Sequence, residues 1–320
     1  MYVTLIAVAA LWGAGAGLLV PRAAYRLSVE PEEPWRGSCP AGHPFTGPAR
    51  GWLGGGRCGS CRPDGGAPAA GGTESPATSD PGTGSPAADT GPPAPSGSRS
   101  PAPSGSRSPA PGSPDAGAPV SASPPGGPDT GPPVPALRTA ERARLAPLLT
   151  ALPCAALAAA TGPRPELAVW LLLVPFAVLL AVVDRRVHRL PDQLTLPLAA
   201  VAAVLLGAVS PLPGTGGSWS TALLGGLVLG ASYLALFLIN PNGLGFGDVK
   251  LALSLGVVLG WYGWSALFTG AFAGFLLGSL YGIGLMALGR AGRGTAIPFG
   301  PFMIGGALAG LLLGALTANA

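Results

Sequence analysis

Eight long apolar runs limit what this chain can fold into. They cover residues 2–20, 145–161, 166–183, 196–212, 219–239, 249–263, 265–288 and 299–317. A run of about 20 apolar residues can cross a bilayer as a helix. In hydrocarbon only a helix or a closed barrel satisfies its own backbone hydrogen bonds. With 48% hydrophobic and 10% charged residues, the chain is far from the composition of a soluble domain. The expected fold class is an all-α polytopic membrane protein with about eight transmembrane helices. Gly260 to Gly263 is the weakest separator, dividing 249–263 from 265–288.

The charges orient these helices. No positive charge precedes the first run, and Arg22 and Arg26 follow it. This is the pattern of a spanning helix with its N-terminus outside, and not of a cleavable signal peptide. Alternating sides from there makes the regions around 21–144, 184–195, 240–249 and 289–298 cytoplasmic. Every Lys and Arg except Arg164 falls in or at the edge of these regions, as the positive-inside rule predicts. The setting is therefore a multi-pass membrane protein, with the lipid bilayer as a partner. Lys250 is the only Lys; with so much Ala, Gly and Pro, the Arg content looks like a GC-rich coding bias. The net charge of +4 gives no reason to expect a nucleic-acid partner.

Glycines recur every four residues at Gly270, Gly274, Gly278 and Gly282, and again at Gly306, Gly310 and Gly314. That spacing puts them on one helix face and lets backbones approach closely, so a tightly packed bundle is expected. Dimerisation through such a face is the lesser reading, and the oligomeric state stays open. Residues 62–135 are rich in Pro, Gly, Ser and Ala and hold a tandem octapeptide at 94–101 and 102–109. Such a segment buries too little apolar surface to offset chain entropy. The expected organisation is a first transmembrane helix at 1–21, a cytoplasmic Cys/His loop at 22–61, a disordered low-complexity insertion at 62–144 and a membrane core at 145–320.

Cys39, His43, Cys58 and Cys61 form a C-x3-H-x14-C-x2-C pattern, four ligands suited to tetrahedral zinc. In a cytoplasmic loop disulfides are disfavoured, and the flanking segments are too small for a core, so a structural zinc would do the folding. A closed set of four protein ligands leaves no open position for catalysis. Cys154 lies alone in an apolar run and reads as a small buried hydrophobe.

From residue 145 onward the only acids are Glu166, Asp184, Asp192 and Asp248. A carboxylate beside hydrocarbon is costly and usually functional. Asp184 and Asp248 each border an apolar helix on the same side of the membrane, which suggests an aspartic catalytic dyad. Two nearby carboxylates cannot both ionise easily and titrate as a unit. The ionised one can take a proton from water while the other donates to a scissile carbonyl. Gly243, Gly245 and Gly247 suit a backbone that bends sharply beside Asp248, which is expected at a helix start. Asp192 reads as the cap of the helix that follows, and His188 as an interfacial polar residue. Lys250 reads as an anchor or as a contact for a substrate carboxylate. Pro298 and Pro301 break the helix around Gly300, and irregular backbone at this depth should line a cavity. Gly245, Gly247, Lys250, Pro298 and Gly300 are thus groove candidates. The alternative function is a transporter using Asp184 and Asp248 as a proton relay.

The segment Asp184-Arg185-Arg186-Val187-His188-Arg189-Leu190-Pro191-Asp192-Gln193-Leu194-Thr195 resembles the first aspartate segment of the prepilin peptidase (type IV leader peptidase) family. Gly243-Leu244-Gly245-Phe246-Gly247-Asp248-Val249-Lys250 resembles the second, and Ile297-Pro298-Phe299-Gly300-Pro301-Phe302 a stretch near the C-terminus. The loop cysteines, bracketing Trp52-Leu53, resemble the zinc-binding domain of the longer members. The first knuckle departs from the family's Cys-x2-Cys: Gly42 stands at the second position, and His43 would replace the missing thiolate. The resemblance implies an intramembrane aspartic endopeptidase acting on type IV prepilin-like precursors at the cytoplasmic face, with Asp184 and Asp248 as the dyad. It also implies a possible second activity, N-methylation of the new N-terminus with S-adenosylmethionine as the methyl donor.

Overall fold

The structure is a computed structural model that describes residues 1–29, 33–52, 61, 136–188, 190–241, 243–290 and 297–319. Ten helices occur among them: α1 (Tyr2–Gly17), α2 (Val20–Leu27), α3 (Pro48–Gly51), α4 (Ala136–Thr161), α5 (Glu166–Val187), α6 (Asp192–Val209), α7 (Trp219–Ile239), α8 (Phe246–Gly260), α9 (Trp264–Ala287) and α10 (Gly300–Thr317). No strand occurs among the described residues; the only extended pairing there is an isolated bridge between Ser38 and Pro44. The all-α expectation is met. Most of the expected low-complexity insertion lies outside the described residues.

Each of the eight apolar runs lies within or overlaps a helix. Six helical segments are long and apolar enough to cross a membrane, counting Tyr2–Leu27 as one, and Leu145–Thr161 is a shorter apolar helix. α8 has 15 residues, about 22 Å of helix. The weak separator is real: α8 stops at Gly260, and Gly263, with φ +98°, starts the turn into α9. A positive φ of this kind is open to glycine at little steric cost.

Small residues decide which helices touch. Gly306 on α10 abuts the Gly270 and Gly274 backbone of α9, and Gly310 sits 2.7 Å, by a hypothetical Cβ, from the Ala266 carbonyl and the Gly270 Cα. The two four-residue glycine ladders therefore face each other within one chain. Gly225 of α7 and Gly256 of α8 make a second such seam, each against the other's carbonyl. Gly306→Val would force the α9–α10 seam apart, since overpacking costs about 1–3 kcal/mol. A lowered thermal unfolding midpoint in lipid is the expected result; an unchanged midpoint would mean that α9 and α10 separate freely.

α5 and α8 run antiparallel, yet no Cα of one lies within 8 Å of a Cα of the other. Between them lies an apolar cavity of about 100 Å³, lined also by α4, α6 and α10. α10 packs against both. This frame brings the C-terminal end of α5, the N-terminal end of α8 and the N-terminal end of α10 to one end of the bundle.

Candidate active site

Asp184 sits in the last turn of α5 and Asp248 in the first turn of α8. Both are buried, at 4% and 9% exposure. Both lie at the end of the bundle where α5, α8 and α10 converge, and each carboxylate has its own backbone donor.

Asp184 accepts a hydrogen bond from the Gly300 N–H, 3.0 Å from its Oδ2. Gly300 is the first residue of α10, and Pro301 follows it. A helix start carries unpaired N–H groups and a partial positive charge, both favourable to an anion. Glycine is required there for space: a Cβ on Gly300 would lie 2.8 Å from Asp184 Oδ2 and 3.2 Å from its Cγ. The sequence placed Gly300 in a groove; the structure makes it the seat of Asp184.

Asp248 is held by its own helix. Its N–H donates to the Gly245 carbonyl at 3.0 Å, and the Gly245 N–H donates to its Oδ2 at 3.3 Å. The reciprocal pair resembles a capping box. Gly247 faces Leu190 between α5 and α6, 3.1 Å from its Cβ by a hypothetical Cβ. Tyr233, 2% exposed, packs in an aromatic group with Phe275 and Phe299, its ring centroids 5.4 and 6.4 Å away. No sequence pattern marked Tyr233.

The flanking polar residues are arranged differently from expectation. Asp192 makes no cap hydrogen bond, because Pro191 holds the N-cap position and Asp192 is the first helical residue. Its carboxylate instead pairs with Lys250, 2.6 Å from Nζ, tying the start of α6 to the start of α8. Lys250 also lies over the Phe246 ring, 4.7 Å from its centroid. His188 closes α5 in a left-handed conformation, φ +51°, its N–H bonded to the Asp184 carbonyl at 2.8 Å. Pro298 lies in the non-helical stretch just before α10.

The first loop packs at this same end. Arg26 stacks over Trp52 at 4.0 Å, and Arg22 over Phe45 at 4.8 Å. Trp52 reaches a buried group that includes Val20 and Ala24 of α2 and Val183 of α5. Within the loop the Cys39 N–H donates to the His43 carbonyl and the Gly42 N–H to the Cys39 carbonyl, both at 2.9 Å. Gly42, with φ +82°, turns the chain so that His43 faces Cys39. The Sγ of Cys39 lies 3.6 Å from His43 Nδ1 and 3.6 Å from Cys61 Sγ, and His43 Nδ1 lies 3.2 Å from Cys61 Sγ. A tetrahedral zinc with bonds of about 2.0 Å to nitrogen and about 2.3 Å to sulfur has ligand–ligand edges of about 3.3–3.8 Å. Two of the three distances fall in that range and the His43–Cys61 one is slightly shorter, so the group could hold a metal ion. Cys58 lies outside the described residues.

Comparison with known proteins points the same way. A sequence model described as the type IV leader peptidase family matches residues 171–317. A prepilin leader peptidase/N-methyltransferase of Aeromonas salmonicida (strain A449) is 39% identical over 100 residues, 31% of this chain and 32% of that protein. Its counterpart in Bacillus subtilis (strain 168) is 36% identical over 107 residues, 33% and 40% of the two chains. That in Pseudomonas aeruginosa is 35% identical over 71 residues, 22% and 23% of the two. The match to the first of these spans about a third of the relative's length. No solved structure matches the chain significantly. Residues 171–317, which contain both aspartates and the Gly300 seat, match the type IV leader peptidase family.

Proposed function

We propose that this chain is an intramembrane aspartic endopeptidase that removes the leader peptide of type IV prepilin-like precursors, with Asp184 and Asp248 as its dyad. One observation carries the reading: two buried carboxylates, from helices with no Cα pair within 8 Å, sit at the same bundle end, each bonded to a backbone N–H. The ionised member takes a proton from a water held between them, and the hydroxide adds to the scissile carbonyl carbon. The protonated member gives its proton to the carbonyl oxygen. Collapse of the tetrahedral species breaks the C–N bond as a proton passes to the leaving nitrogen. A proton relay across the membrane would set its carboxylates near the midplane, whereas these two lie within a turn of helix ends. The Arg-rich first loop packs at the dyad end, which supports cleavage at the cytoplasmic face by the positive-inside rule.

The test is a digestion. The purified protein in lipid is incubated with a prepilin-like precursor from the same genome, with and without S-adenosylmethionine, and products are weighed by mass spectrometry. A single cut after the leader glycine is expected. A product heavier by one methyl group, seen only with the donor, would add the second activity. An intact precursor beside a well-folded enzyme would defeat the proposal.

Cys39, His43 and Cys61 would hold a structural zinc, with Cys58 as the fourth ligand by sequence. The ion would fix the loop and take no part in the cleavage. About one zinc per chain is the expected content. Cys39→Ser is expected to lower it and to open the loop to protease, while an unchanged zinc content would discard the assignment.

A further inference from the structure

A second buried polar group lies at the far end of the bundle from the dyad. Glu166, the first residue of α5, is 0% exposed. Its Oε1 accepts from the Gly216 N–H at 2.9 Å and from the Tyr262 hydroxyl at 3.5 Å. The Trp170 indole N–H donates to the same hydroxyl at 3.3 Å, and Arg164 Nη1 lies 3.9 Å from Oε1. Gly216 is a glycine because a Cβ there would strike Arg164, with Glu166 Oε1 3.1 Å away. The next glycine, Gly217, lies against the Trp261 ring in the same way. Glu166 Oε2, Arg164 Nη1 and Trp261 Nε1 are buried with no hydrogen-bond partner; polar groups in that state are commonly satisfied by internal water.

The partners of Glu166 matter more than its burial. Glu166 and Trp170 belong to α5, which carries Asp184; Tyr262 lies just past α8, which carries Asp248. Away from this cluster the two helices stand apart across the apolar cavity. Asp184 lies 18 residues from Glu166, about 27 Å along a helix, and Asp248 lies 14 residues from Tyr262, about 21 Å. α5 stays helical through Pro175 over that length, and a rod of about 20–27 Å tilted by about 3° at this end moves its far end by about 1 Å. We propose that Glu166 and Tyr262 form a buried clamp that sets the tilt of α5 against α8 and thereby the separation of the two aspartates. Both are positioning residues, and their effect on turnover rests on the dyad reading above.

The experiment uses full-length protein in lipid nanodiscs, comparing wild type with Tyr262→Phe, Glu166→Gln and Asp248→Asn. Tyr262→Phe keeps the ring and removes only the bridging hydroxyl. Hydrogen–deuterium exchange is read in peptides covering 180–188 and 244–250, and precursor digestion gives kcat and KM. Exchange at both distant segments should rise about threefold or more in the two clamp variants. Their kcat should fall about tenfold or more with KM within about twofold, because misplacement of reacting groups acts on the chemical step. Exchange rising only near 161–171 and 258–263, with kcat unchanged, would reduce the cluster to a local brace. If Asp248→Asn still cleaves, the dyad reading fails by itself, and the exchange at 180–188 and 244–250 still decides the clamp.

Discussion

Asp184→Asn and Asp248→Asn should each remove turnover by about 10²–10⁴-fold or more, the range for loss of a positioned acid or base, without unfolding the protein. Asparagine has the shape of aspartate and keeps an oxygen that accepts a hydrogen bond. At 184 it still receives the Gly300 N–H, and at 248 it still receives the Gly245 N–H. What it loses is the ability to carry a proton to or from water. The measurement is the initial rate of precursor cleavage alongside the thermal unfolding midpoint. Cleavage at the wild-type rate by either variant would exclude the dyad. Loss of cleavage with a collapsed midpoint would mean that the carboxylate had been holding the fold.

Gly300→Val should come close to that loss from a position that carries no reactive group. The space a Cβ would need on Gly300 is taken by Asp184: Oδ2 at 2.8 Å, Cγ at 3.2 Å. Relief requires α10 to shift or the carboxylate to leave its N–H, and Pro301 and α9 limit the first. A displacement of about 1 Å can cost about 10²-fold in rate. The expected outcome is a fall of that size in kcat. Gly300→Ala should show a smaller loss of the same kind. A valine variant with full activity would mean that Asp184 works from another position.

Part of this was legible in the chain. The apolar runs placed the eight helical segments, including the break near Gly263, because hydrocarbon leaves a backbone few choices. Asp184 and Asp248 stood out because carboxylates are rare in such surroundings. His43 could be picked as a ligand because Cys39, Cys58 and Cys61 surround it at workable spacing. The glycine ladders announced close packing but not their partner, since small residues serve contacts within a chain and between chains equally well.

The rest depends on contacts between residues far apart in sequence. Gly300 and Asp184 are 116 residues apart, and Glu166 and Tyr262 are 96 apart. No local pattern encodes either meeting. Asp192 looked like the cap of the helix that follows it, yet it pairs with Lys250 because α6 and α8 pack together. Helix existence, the rarity of acids in the membrane core and the close sequence spacing of Cys39 and His43 follow from single-residue chemistry and short-range spacing, so the sequence by itself determined them. Which N–H holds which carboxylate, which helix ends are clamped and how far apart the aspartate helices stand depend on how rigid rods pack, and the tertiary structure alone decided them.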